Sequence, residues 1–186
     1  TLFGSKYGDY YTAVELTTEL KNLGWAVEII AVKGKKKRYH YDMSNIDCLI
    51  NLLHDWDIGK AYNCKPSLIK VCWMRNWFES WWTSKNFLHY DLFLGSSKKA
   101  CSYIEEMTGQ EVNLLRIGGN HLRFKKGDNN KVDCIFTGNY WNAKRDIENF
   151  RPDLQDIEFQ LYGKGWEKHP NLSKYSKGIK DYNDLP

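Results

Sequence analysis

Four places along the chain gather residues whose types and spacing could do chemistry. The first is the loop from Gly4 to Asp9, which precedes a helical run. Free backbone N–H groups and the positive end of a helix would meet an anion there, and Gly8 would let it approach closely. Asp9 would either cap the helix or take a proton from a hydroxyl. The second is Trp73-Met-Arg75-Asn-Trp-Phe-Glu79, at the end of an apolar run. Arg75 there could grip an anion with two parallel hydrogen bonds, or pair with Glu79. The third is His54-Asp55-Trp56-Asp57, where Asp55 and Asp57 are two carboxylates one residue apart that could ligate a divalent cation. His54 or Asp55 could instead serve as a base, or the segment could be a polar loop after a strand. The fourth is Thr137-Gly138-Asn139 followed by Lys144 and Arg145, a glycine turn and a basic pair that could cradle a diphosphate or form a solvated helix face.

The elements that must hold these residues follow from hydrophobic periodicity. Tyr10, Ala13, Val14, Leu16, Leu20 and Leu23 fall at helical spacing, with Gly24 as a stop. Residues 25–32 form a β-branched, mostly apolar run expected to be a strand of a covered parallel sheet. The same signature recurs at residues 46–53, 69–74, 90–94 and 112–117. A helix is expected over residues 97–107, capped by Ser97 or Ser96 and closed by Gly109. Strands alternating with helices predict an α/β fold, a Rossmann-like doubly wound parallel sheet whose sites lie beyond the carboxyl ends of the strands. Residues 119–131 are polar, basic and glycine-containing, and read as a linker between domains 1–118 and 132–186. Beyond the linker the pattern restarts, with a strand at 132–137, a helix-like segment near 143–150 and a second strand at 157–162. Two strands in some 55 residues do not close such a domain, so the second domain is expected to be partial and the chain by itself inactive.

Composition narrows the classes. Of the 186 residues, 42% are hydrophobic and 27% charged, as in a folded domain rather than a disordered chain. Eight Trp within 15% aromatic residues suit both a core and clefts that hold sugars, bases or peptides. The net charge of +4 comes largely from Lys33, Lys35, Lys36, Lys37 and Arg38. That run reads as a solvated loop, with peripheral contact to an anionic membrane face as an alternative; no RNA-binding signature accompanies it, and nucleic acid is not expected as a partner. The five cysteines, Cys48, Cys64, Cys72, Cys101 and Cys134, are scattered and without close pairs, so they read as reduced core residues. With no leader and no membrane-spanning run, a cytoplasmic location is expected, possible contact with the inner membrane face included.

Four ordered segments carry a resemblance: Tyr7-Gly-Asp-Tyr-Tyr11, Cys72-Trp-Met-Arg-Asn-Trp-Phe78, Phe136-Thr-Gly-Asn-Tyr140 with Arg145, and Leu161-Tyr-Gly-Lys-Gly-Trp166. Together with Tyr90-Asp-Leu-Phe-Leu-Gly-Ser-Ser97 and the closing Lys177-Gly-Ile-Lys-Asp-Tyr-Asn-Asp-Leu-Pro186, the chain resembles bacterial glycosyltransferases of the spore-maturation-protein-like group. These are GT-B enzymes related to the group 1 transferases. The resemblance implies an acceptor-side domain first and part of a nucleotide-sugar-binding domain second. It implies transfer of a sugar from a nucleotide sugar to a hydroxyl of a glycan, lipid-linked or protein acceptor, with no metal or other cofactor required. Asp9 and Arg75 take the catalytic places, and Gly8, His54 and Asp55 the acceptor-side loops. Gly138, Lys144 and Arg145 take the donor's phosphates, Gly163 and Gly165 allow backbone approach, and Gly178 with Ile179 fall at the nucleotide base. Two rivals remain: a binding module that kept the fold without the chemistry, and a metal-dependent GT-A transferase acting through Asp55 and Asp57.

Overall fold

A computed structural model describes residues 8–30, 40–120, 132–141, 144–181 and 184. Residues 4–7 of the first candidate loop, the basic run at 33–38 and residues 121–131 of the linker lie outside them. The chain divides into two compact units, Thr1–Gly118 and Gly119–Pro186, each with its own hydrophobic core.

The first unit opens with helix α1 (Gly8–Asn22). It ends as its sequence predicts: Gly24 adopts φ 89°, its N–H returns to the Lys21 carbonyl at 2.9 Å and that of Trp25 to Leu20 at 3.0 Å. Then come β1 (Tyr41–Asp42), β2 (Cys48–Asn51), β3 (Ala61–Tyr62), β4 (Ile69–Met74), the short helix α2 (Phe78–Trp82), β5 (Leu92–Gly95), helix α3 (Lys98–Thr108) and β6 (Val112–Leu114). Strands β1 and β3 form a small parallel pair. The main sheet has the order β2–β4–β5–β6 and is parallel throughout, a Rossmann-like α/β arrangement. Strand β4 is central, and four consecutive residues, Val71, Cys72, Trp73 and Met74, are buried because both its faces are covered. Ser97 caps α3, its hydroxyl accepting the Ala100 N–H at 3.1 Å, and Gly109 closes the helix at φ 68°.

Parallel strands put every carboxyl end on one edge. Register aligns Asn51 with Cys72, Met74 with Gly95, and Gly95 with Leu114, so the residues after each strand emerge together.

In the second unit β7 (Cys134–Thr137) and β8 (Phe159–Tyr162) pair in parallel. Phe159, Leu161, Trp166 and Leu172 form the core, with Phe136, Tyr140, Phe150 and Tyr175 packed around it.

Three expectations are corrected. Of the strand expected at 25–32, residues 25–30 carry no strand pairing among the described residues, and Trp25 is 58% exposed. β-propensity records fit to a covered pleated surface, and this stretch has no described strand beside it. The helix expected near 143–150 is a single 3₁₀ turn, Asp146–Asn149, so Arg145 precedes a turn rather than opening an α-helix. Pro152 excludes helical backbone at Arg151, which sits at φ −123° and ψ 76°, and the segment is too short to recover. Finally, the cysteines are free but not all in the core: Cys72 and Cys101 are buried, Cys48 and Cys134 half-buried, and Cys64 exposed. Among the described residues no helix is long and apolar enough to cross a membrane.

Candidate functional site

At the carboxyl edge of the first unit, Arg75 leaves β4 and turns its side chain into a pocket of polar groups. Its Nη1 donates to the Thr12 hydroxyl at 2.9 Å, and its Nη2 to the Leu52 carbonyl at 3.3 Å and to the Asp9 carboxylate. The first turn of α1 supplies Asp9 and Thr12, and the exit from β2 supplies Leu52. The guanidinium also lies 5.5 Å from the Trp73 ring centre, and its Nε is buried without a hydrogen-bond partner. The Arg75 side chain is 6% exposed and that of Asp9 40%. Arg75 therefore pairs with Asp9, whereas Glu79 accepts from the Tyr103 hydroxyl at 2.8 Å. Gly8 is the first residue of the same helix turn and is exposed.

The exit from β2 runs beside this pair. His54 sits against Trp77, ring centres 6.1 Å apart. Asp57 caps the 3₁₀ turn Ile58–Lys60, accepting the Gly59 N–H at 2.9 Å and the Asn86 amide at 2.6 Å. Partial burial raises the Asp57 pKa, but the two hydrogen bonds and the charges of Lys60 and Lys85 outweigh it and hold the carboxyl below its usual range. Asp57 thus has a capping task, and among the described residues no group of three His, Cys, Asp or Glu side chains is placed to hold a metal ion. Sequence reasoning missed Asn51, buried at the end of β2, whose amide donates to the Tyr90 hydroxyl at 2.6 Å and to the Leu53 carbonyl at 3.1 Å. An asparagine closing an apolar run was the signal for it.

In the second unit the glycines have a structural reason. Gly163 adopts φ 143°, and a Cβ there would stand 2.0 Å from the Gly138 carbonyl oxygen; at Gly165 it would stand 2.7 Å from that of Tyr140. Only glycine lets the turn after β8 cross the turn after β7 this closely. The crossing is fastened by the Gly138 N–H to Tyr162 at 2.9 Å and the Tyr140 N–H to Lys164 at 2.8 Å. On its other side Gly163 donates to the Gly178 carbonyl at 2.7 Å, and Lys177 to Leu161 at 2.8 Å. An open cleft of about 580 Å³ lies here. Gly163, Gly178 and Ile179 line it, as do four residues missed in the sequence, Lys164, Glu167, Ser173 and Ser176. An ammonium, a carboxylate and two hydroxyls around glycine backbone suit a ligand that is anionic at one end and hydroxylated at the other.

Gly138, Gly165, Lys144 and Arg145 do not line that cleft. Arg145 is nonetheless close to the crossing, its Nη1 4.0 Å from where a Gly138 Cβ would lie. Its backbone is held by Glu148, whose Oε1 accepts the Arg145 N–H at 2.8 Å and whose Oε2 lies 3.5 Å from Nε2 of buried His169. His169 Nδ1 accepts the N–H groups of Asn171 and Leu172 at 3.2 and 3.1 Å, which leaves the ring proton on Nε2, facing Glu148. The hydrogen bond from Arg145 and the neighbouring His169 keep the Glu148 carboxyl below its usual pKa. Lys144 is exposed.

Comparison with known protein families, with curated proteins and with solved structures finds no match to this chain. What fold and site define together is a class: an α/β protein with a parallel sheet, an Arg–Asp pair at the sheet's carboxyl edge and a glycine-lined cleft in a second unit.

Proposed function

We propose that the chain serves sugar transfer of the GT-B kind, the second unit holding a nucleotide sugar and the first the acceptor hydroxyl. The observation that carries this reading is the cleft beside β8, where Gly163, Gly178 and Ile179 join Lys164, Glu167, Ser173 and Ser176. Glu167 and the serines can hydrogen-bond the hydroxyls of a ribose, Ile179 can cover a base, and Lys164 and Arg145 can take phosphate charge. In the reaction the acceptor oxygen bonds to the anomeric carbon, the bond from that carbon to the diphosphate breaks, and the hydroxyl proton passes to a carboxylate. Asp9 is the carboxylate proposed for it, exposed on one side and oriented by Arg75 on the other. In this reading Arg75 is a positioning residue, because its charge is already answered by Asp9.

The test is titration of the chain with a panel of nucleotide sugars followed by calorimetry. Replacing Arg145 by Ala should weaken binding roughly ten- to hundredfold, as expected for loss of one or two charge-assisted hydrogen bonds. Replacing Arg151, which pairs with Asp153 at 3.3 Å, should change it little. Equal binding by the Arg145 variant and the parent would remove the diphosphate role. The mutual neutralisation of Asp9 and Arg75 also favours a second reading, a module that binds without reacting; donor binding with neither transfer nor hydrolysis, in a protein whose second domain is complete, would select it.

A further inference from the structure

We infer that Trp77, braced by His54, is a carbohydrate-stacking platform at the carboxyl edge of the first unit, and this inference rests on the transferase reading for its role as the acceptor-sugar subsite. Three observations meet at Trp77. Its backbone sits in the left-handed region, φ 50° and ψ 44°, a conformation that costs a bulky residue energy and that Asn or Gly would adopt with less strain. The residue is 65% exposed. And the core does not need it: the turn into α2 is anchored by the buried Trp81, whose indole N–H donates to the Asn76 carbonyl at 3.2 Å. A strained residue that contributes little to the fold marks a place where function keeps it.

The neighbours define the ligand. The Leu52 carbonyl bonded to Arg75 ties the exits of β2 and β4 together, and His54 and Trp77 each lie two residues beyond that tie. The rings meet at 43°, so the imidazole braces the indole from one side. Arg75, two residues before Trp77, is buried and neutralised by Asp9, so it does not present itself to a phosphate. An open aromatic face beside a hydrogen-bonding imidazole fits the C–H face and hydroxyls of a neutral pyranose.

The experiment uses the whole chain without donor, with cellotetraose, maltotetraose, chitotetraose and adenosine as probes, followed by tryptophan fluorescence and ligand-observed NMR. Stacking on a C–H face tolerates different linkages, so at least one oligosaccharide should bind. Trp77→Asn should weaken it about tenfold, and Trp77→Phe should retain most of it. Because Asn tolerates the left-handed backbone, Trp77→Asn should melt at the same temperature as the parent or higher. Failure of all three oligosaccharides to bind, preference for adenosine, or undiminished binding by Trp77→Asn overturns the platform. A clear fall in melting temperature for that variant overturns it as well, since Trp77 would then be a packing residue. Nucleotide-sugar binding through Arg145 is read in the other unit, so either proposal can fail alone.

Discussion

The Asp9–Arg75 pair is asymmetric in its contact with water, and the asymmetry decides which half the fold depends on. Arg75 is 6% exposed and Asp9 40%. Asp9→Asn strands a buried guanidinium without its counter-charge, which costs on the order of 2–3 kcal/mol for a partly buried pair. Arg75→Met removes the buried charge and returns Asp9 to water, so its cost should be smaller. Urea unfolding of the two variants checks this, and the reverse order would mean that the Thr12 and Leu52 hydrogen bonds outweigh the charge. A second residue-scale expectation concerns alkaline pH. Burial pushes the Cys72 thiol from its ordinary value near 9 up to about 12, and burial raises the Tyr90 hydroxyl as well. The unfolded chain then loses these protons first. Stability should be intact below about pH 9 and decline as pH rises from 9 toward 12. Cys72→Ala should lower stability at pH 7 by leaving a void, yet flatten that alkaline decline in unfolding curves measured at pH 7, 9 and 10.5.

At the scale of elements, the crossing of the turns after β7 and β8 is the feature most sensitive to a single methyl group. A Cβ at Gly163 would lie 2.0 Å from backbone oxygen, which cannot rotate away, whereas one at Gly178 meets nothing within 4 Å and suffers only from φ 78°. Gly163→Ala should therefore abolish hydrogen-exchange protection of β7 and β8, and Gly178→Ala should cost about 1 kcal/mol. Comparable protection in both variants would show that the turn can yield. The glycines were visible in the sequence, but their reason was not: spacing suggests backbone approach without saying to what, and here the approach is of the chain to itself. Elements were legible where local and tertiary signals agree, as in β4, buried on both faces, and α3, with Ser97 and Gly109 at its ends. They were misread where only a local signal existed. Residues 25–30 have β-branched side chains but no described strand beside them, and residues 144–150 have helical spacing cut short by Pro152. Of the candidate site, the sheet edge carrying Arg75 was readable from the strand pattern. Its partner was not, because the choice between Glu79 and Asp9 depends on a contact spanning 66 residues of sequence.

For the whole molecule, two units with separate cores imply separate unfolding. Among the described residues the first core gathers thirteen buried side chains and the second four, so the second unit has the smaller apolar stabilisation and should melt first. A parallel pair such as β7–β8 is marginal without further support, and here that support comes from Trp166, Leu172 and a single parallel bridge of Ser176 to Leu161. Calorimetry of the 186-residue chain should therefore show two transitions rather than one. A ligand that binds only one unit raises only its transition, by RT ln(1 + [L]/Kd), about 2.7 kcal/mol at a hundred times Kd. For a unit of this size that amounts to roughly 10 °C or more. If the cleft beside β8 holds a nucleotide sugar, saturating donor should move the lower transition upward and leave the upper one where it was. Hydrogen exchange at the amides of Gly138, Tyr140 and Gly163 would assign the shifted transition, since these bonds fasten the crossing next to the cleft. A donor-induced shift of the upper transition alone would place the nucleotide sugar in the first unit and overturn the division of labour between the two.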